Sequence, residues 1–434
     1  MKKSTNDILV IGLALFAMFF GAGNLIFPPY LGKMVGSEFI IATTGFIITG
    51  VGIPFLAILS CTKTNGNFED MALKIGKYFP IVYSVAIFLA VGPMLAIPRT
   101  AATTYEVTLK PVFPWMSSFV SMVLYFALNL LFVLRPSKVI DAIGKFLTPA
   151  LLITLLIIII KAIVFPIGDI INTNATSIFS NSLIEGYQTM DALAGLIFAA
   201  VITSSVLDKG YKGKAAMNIT IKSGLVAISA LAFIYGGLMY IGAQTNSILP
   251  KDISKTSLLL EISNRTLGSS GKIIMGIAMG LACFTTSVGL ITAGASFFNK
   301  ITKSKLPYRF NAILISLTSI VIGSFGVDKI VKISVPILYI LYPVAITLIL
   351  GTLVNSCNFV LKVSVYTSLV FSILDTLPMI GVNINFIKST FSMIPFTNLG
   401  FVWIVPTIFT AVISLVCKKF LNKNNESNSV TSAA

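Results

Sequence analysis

The sequence predicts an all-α polytopic membrane protein with about 12 transmembrane helices. Three observations carry this. Of the 434 residues 56% are hydrophobic and 11% charged, with a mean hydropathy of +0.94, a balance outside that of soluble globular domains. Apolar runs of roughly 20 residues, the length that crosses a bilayer, recur along the whole chain. Lys and Arg fall in short loops between these runs, so the formal charge of +16 reflects membrane topology and not nucleic-acid binding.

The first span, Ile8–Tyr30, holds the stretch that organises the chain, Leu13 to Pro29. It starts as an apolar helix, opens at Gly21-Ala22-Gly23-Asn24, resumes with Leu25-Ile26-Phe27 and stops at Pro28-Pro29. Glycine and asparagine are poor helix formers that tolerate positive φ. Backbone at membrane depth unwinds only where it is buried in protein or lines a wet cavity. The expectation is a broken helix whose free N–H and C=O groups face a ligand. A small-residue contact between helices is the plainer alternative; Asn24 and the double proline count against it, because a packing face needs neither.

The next four spans are Phe39–Cys61, Phe79–Ile97, Met116–Leu134 and Phe146–Phe165. Pro93 and Pro98 must bend the third. Arg99, just after them, reads either as an interfacial snorkelling side chain or as a partner for a buried acid. The sixth span, Leu183–Leu207, carries that acid, Asp191, with Gly186 and Gly195 nearby. A carboxylate in mid-membrane costs about 2.5–3.5 kcal/mol, so it is normally paired or functional. The segment Ala194-Gly195-Leu196-Ile197-Phe198 echoes Ala22 to Phe27 with one residue dropped, which marks the sixth span as a second broken helix. The remaining spans are Ile221–Gly242, Ile273–Phe298, Phe310–Phe325, Ile330–Val354, Phe359–Ile380 and Leu399–Cys417. The loop Ala243–Lys272 is expected to lay a short helix over the outer vestibule, and the Asn- and Ser-rich tail after Lys418 to be disordered.

Spans one and six open two sets of five. An odd number of spans per set makes the second enter from the opposite side, and interrupted helices at corresponding places of inverted repeats point to a transporter binding site. The chain thus divides into 1–165, the first five-helix repeat, 166–355, the inverted second, and 356–434, two extra helices and the tail. With the N-terminus in the cytoplasm, the even-numbered loops and both termini carry most of the 31 Lys and Arg, which places both ends inside. Lys2-Lys3 precede a span without a small-residue cleavage site, so no cleavable signal peptide is expected.

The eighth span contains Ala282-Cys283-Phe284-Thr285-Thr286. On a helix the carbonyl of residue i and the hydroxyls at i+3 and i+4 share a face, so Ala282, Thr285 and Thr286 offer half of an all-oxygen cage for a hard monovalent cation. Ala17 and Phe20, before the first break, can supply the missing carbonyls. The plain alternative is that both hydroxyls bond back to their own helix.

The motifs Phe20 to Pro29, Gly92-Pro93 through Arg99-Thr100, and Glu185-Gly186-Tyr187 with Met190-Asp191-Ala192-Leu193 resemble the bacterial branched-chain amino acid:cation symporter family (BrnQ type). That family is similar in turn to transporters of the leucine-transporter fold, built from two inverted five-helix repeats. The resemblance implies a sodium site on Ala17, Phe20, Ala282, Thr285 and Thr286. It departs from many such transporters in placing Asp191 where they carry a neutral Thr or Ser, which leaves room for a second cation or a proton.

The substrate expected is a zwitterion. Its carboxylate meets N–H groups of Gly21-Ala22-Gly23, beside Asn24, at the positive end of a half-helix. Its ammonium meets carbonyls around Met190, Asp191, Ala192 and Leu193, with Ala194 and Gly195 following. Leu290, Met190, Leu193 and Leu196 give an apolar lining that favours Leu, Ile and Val over charged amino acids. Sodium is the expected coupling ion, with a proton-coupled symporter or an exchanger of other neutral amino acids as the alternative. No other cofactor, no nucleic acid and no obligatory protein partner is expected; the surroundings are the lipid bilayer of a bacterial cell membrane. The four cysteines lack paired spacing and there is no histidine, which argues against a disulfide framework, a metal cluster and a histidine proton relay. An enzyme, a nucleotide-driven pump, a channel or a sensor would each need a feature the sequence lacks: a catalytic constellation, a phosphate loop, a repeated filter or an output domain.

Overall fold

The computed structural model describes residues 2–64, 66, 68–134, 148–382 and 384–431. Among these, every regular element is helical, apart from one isolated bridge between Gly36 and Asn172. The chain runs α1 (Lys2–Phe19), α2 (Ala22–Val35), α3 (Phe39–Lys63), α4 (Phe79–Leu109), α5 (Ser118–Val133), α6 (Thr148–Val164), α7 (Ile178–Tyr187) and α8 (Asp191–Asp208). It continues with α9 (Gly213–Gln244), α10 (Lys255–Leu267), α11 (Ser269–Ile301), α12 (Tyr308–Gly323), α13 (Val327–Leu353), α14 (Asn358–Thr376) and α15 (Ile404–Thr431).

Among the described residues, 7 helices are long and apolar enough to cross a membrane, or 8 when the bent pair α1–α2 counts as one. Shorter apolar helices fall on the fourth, fifth, ninth and twelfth expected spans. The start of the fifth, Phe146, lies outside the described residues. The expected short helix in the loop Ala243–Lys272 is α10.

Both expected breaks are present, each displaced from where the sequence puts it. α1 and α2 meet at 73° across Phe20-Gly21, and the second half-helix already starts at Ala22. Gly23 and Asn24 therefore belong to its first turn. Nor does the helix stop at the double proline: α2 runs on through Pro28 and Pro29 to Val35. Two carbonyls one turn back lose their N–H partners there, and tight packing compensates. α2 lies along α9, and a Cβ on Gly32 would run into the backbone of Met239, as one on Gly242 would into that of Pro29. Only glycine lets the two backbones approach so closely. The second break is Gln188-Thr189-Met190, between α7 and α8, three residues ahead of the Ala194-Gly195 echo.

α4 carries a third irregularity. A π turn spans Ala90–Met94, with Gly92, the residue before Pro93, at φ −85°, ψ −121°, so the expected bend falls at Pro93. The tail departs from expectation too: the backbone is helical to Thr431, with no Gly or Pro after Pro406 to end it.

Candidate functional site

The two half-helices α2 and α8 start at the same place. α2 begins behind Gly21, in extended backbone at φ −125°, ψ −162°. α8 begins behind Met190, whose φ of 65° is left-handed, a strained choice for a residue with a long side chain. Two helix N-termini, each with unsatisfied N–H groups and positive dipole ends, thus converge in the middle of the molecule.

Asn24 ties them together. Its Oδ1 accepts the Gly21 N–H at 3.0 Å. Its Nδ2 donates to Asp191 Oδ2 at 2.6 Å and also to the Tyr235 hydroxyl. Tyr235, from α9, donates to the same carboxylate oxygen at 3.4 Å. Asp191 lies in the first turn of α8, where the dipole favours an anion, and its N–H is held by Thr189 Oγ1 at 3.3 Å. In an unbroken helix the Gly21 N–H would go to the Ala17 carbonyl; here it is spent on Asn24, so Ala17 loses its helical partner.

Between the breaks is a cavity of about 30 Å³, lined by Gly21, Ala22, Gly23 and Asn24 from the first break and Thr189, Met190, Asp191 and Ala194 from the second. Thr286 and Leu290 of α11, Arg99 of α4 and Phe198 of α8 also line it. That is room for a water or two, against roughly 300 Å³ and more for small-molecule sites. Anything the size of an amino acid would fit there only if the lining side chains moved apart.

Eight of the twelve residues expected at a substrate therefore line one cavity. Ala192, Leu193, Gly195 and Leu196 do not. Ala192, Leu193 and Leu196 are buried in packing, and Gly195 abuts α3, where an added Cβ would sit 2.8 Å from the Pro54 carbonyl oxygen. In the expected cation set, Thr285 takes the plain alternative: its hydroxyl donates back to the Ala282 carbonyl at 2.9 Å. Thr286 does not. Its buried Oγ1 has no hydrogen-bond partner and points at the break, 3.1 Å from where a Cβ on Gly21 would be. Phe20 directly follows the last residue of α1, its N–H still bonded to the Phe16 carbonyl at 2.8 Å.

This chain is a member of a known family. It matches the family described as "Branched-chain amino acid transport protein" over residues 4–421. It is 36% identical to the branched-chain amino acid permease BrnQ of Bacillus subtilis (strain 168), over 98% of this chain and 99% of that one. It is 32% identical to the branched-chain amino acid transport system 2 carrier protein of Pseudomonas aeruginosa, over 97% and 98%. Among solved structures it resembles MhsT in complex with L-phenylalanine at 17% identity, with a TM-score of 0.58 over 94% of this chain and 97% of that one. That likeness establishes the fold, which is the leucine-transporter architecture that the sequence motifs imply, and the relatives are transporters rather than enzymes.

Arg99 is the residue that sequence reasoning misplaces. It is 3% exposed, far from a snorkelling position, and among the described residues it forms no ion pair with Asp191. The bend at Ala90–Met94 turns this part of α4 inward, and a π turn leaves no mark in hydropathy. Gln188, Thr189 and Tyr235 are missed for a similar reason: each is an unremarkable polar residue until the chain folds.

Proposed function

We propose that this transporter imports leucine, isoleucine and valine across the cell membrane by symport with sodium, alternating access around the cavity between the two breaks. The observation that carries the reading is the cavity itself: N–H groups of Ala22 and Gly23 on one side, Asp191 and the carbonyls of the second break on the other, and Leu290, Met190 and Phe198 as apolar wall. A zwitterion with an uncharged side chain fits that arrangement, and an unpaired side-chain charge would be costly to bury there. The family and the names of its relatives support the substrate class.

Sodium is favoured by Thr286, whose buried hydroxyl faces the turn that frees the Ala17 and Phe20 carbonyls. Neutral oxygens bind sodium without exchanging a proton. One cation moving inward gains about 2.3 kcal/mol per 100 mV, enough for roughly 50-fold accumulation of a net-neutral amino acid. One observation favours protons instead: Asp191 is a buried carboxylate with no cationic partner among the described residues.

Uptake of labelled leucine into proteoliposomes, with sodium and pH gradients imposed separately, tests both. The expected result is sodium-stimulated accumulation, competed by excess isoleucine and valine but not by lysine or glutamate. Accumulation indifferent to sodium and lost with the pH gradient would replace sodium by the proton. Strong competition by lysine or glutamate would overturn the substrate class.

A further inference from the structure

Among the described residues, the buried Arg99 guanidinium has no paired anion. Its Nη1 donates to the Gln188 carbonyl at 2.6 Å, its buried Nε has no partner, and its Cζ lies 5.3 Å from the centroid of the Phe27 ring. No carboxylate among the described residues comes within 4.0 Å of it. A buried charge is normally paired, because the penalty of removing it from water is otherwise uncompensated.

Its location makes the imbalance worse. The guanidinium rests on the first turn of α2, with Nη2 2.7 Å from where a Cβ on Gly23 would be. That is the positive end of the half-helix, so fixed cation and helix dipole oppose each other. Asp191 lies beyond ion-pair distance of Arg99, with its Oδ2 held by Asn24 and Tyr235. An anion entering the cavity between Arg99 and the Ala22 and Gly23 N–H groups would satisfy both.

We propose that Arg99 is the counter-charge for the carboxylate of the substrate, so that the site selects amino acids with a free carboxylate over their amides, alcohols and amines. The planar guanidinium supplies paired N–H donors that suit a carboxylate, and Asp191 across the cavity sets the opposite polarity for the ammonium. The inference rests on the amino-acid reading above and adds the group that recognises one end of the substrate.

The test is competition against labelled leucine by leucinamide and leucinol, which keep the side chain and the ammonium but carry no carboxylate. It is run on purified wild type, Arg99→Gln and Arg99→Lys, with folding followed by thermal unfolding. In wild type, leucine is expected to bind about 10- to 100-fold more tightly than either analogue. Arg99→Gln should lose that factor for leucine and leave leucinamide nearly unchanged, so the ratio collapses towards one; Arg99→Lys should recover part of it. Equal losses for leucine and leucinamide would make Arg99 a packing residue and overturn the proposal. So would wild type that binds leucinol as well as leucine, whichever variants fold. Wild type that binds no leucine at all would instead defeat the substrate reading, and this inference with it.

Discussion

Thr286 and Asp191 face each other's function across one small cavity, and single substitutions separate them. Thr286 Oγ1 is the buried hydroxyl without a partner beside the first break. Removing it should delete one ligand of the proposed sodium site and leave the fold intact, because no hydrogen bond is broken. Thr286→Ala is expected to raise the sodium concentration for half-maximal uptake about tenfold, measured in proteoliposomes with membrane insertion checked. Asp191→Asn keeps the shape and removes the charge. If Asp191 carries a coupling proton, this variant loses uptake driven by a pH gradient; if it only orients the ammonium and Asn24, it weakens leucine binding and leaves the choice of ion unchanged. Asp191, Thr286 and the Gly21 to Asn24 run stand out in the sequence because each breaks a rule of membrane helices: a charge, paired hydroxyls, two glycines one residue apart. Arg99 stood out only as a snorkelling side chain or an acid's partner, and Tyr235 not at all, because a tyrosine within a span breaks no rule until the fold buries it.

At the scale of elements, glycines play two different parts, and the sequence does not distinguish them. Gly21 and Gly23 line the cavity, whereas Gly32, Gly195 and Gly242 let helices touch. Gly195 looks in the sequence like the counterpart of Gly23, yet it seats α8 against Pro54 of α3. Gly195→Leu should therefore act on stability: overpacking of this kind costs roughly 1–3 kcal/mol, seen as a lower thermal midpoint and poorer accumulation of folded protein. Wild-type stability with selective loss of leucine affinity would show that Gly195 belongs to the site after all. The second break escaped exact placement because Met190, not glycine, takes the left-handed conformation; nothing in its residue type announces a positive φ. The double proline misled in the other direction. It reads as a stop, but α2 continues because close contact with α9 holds it.

For the whole molecule, the arrangement joins two helix breaks, distant in sequence, through one asparagine. Asn24 caps the first break and bonds the acid of the second, so separating the two half-helices would break the Asn24–Asp191 bond. The cavity between them is too small for leucine without such motion, which is what alternating access around a central site requires. Apolar spans made the polytopic helical character readable from sequence; the meeting of the breaks is a tertiary fact. The central claim is that the substrate binds at this meeting point, against the first turn of α2. Binding of labelled leucine to purified Gly23→Leu tests it most directly, because a Cβ there already collides with Arg99 and a full side chain would fill the cavity. The account predicts protein that inserts and folds but binds no measurable leucine. Near-normal leucine binding by folded Gly23→Leu protein would contradict it.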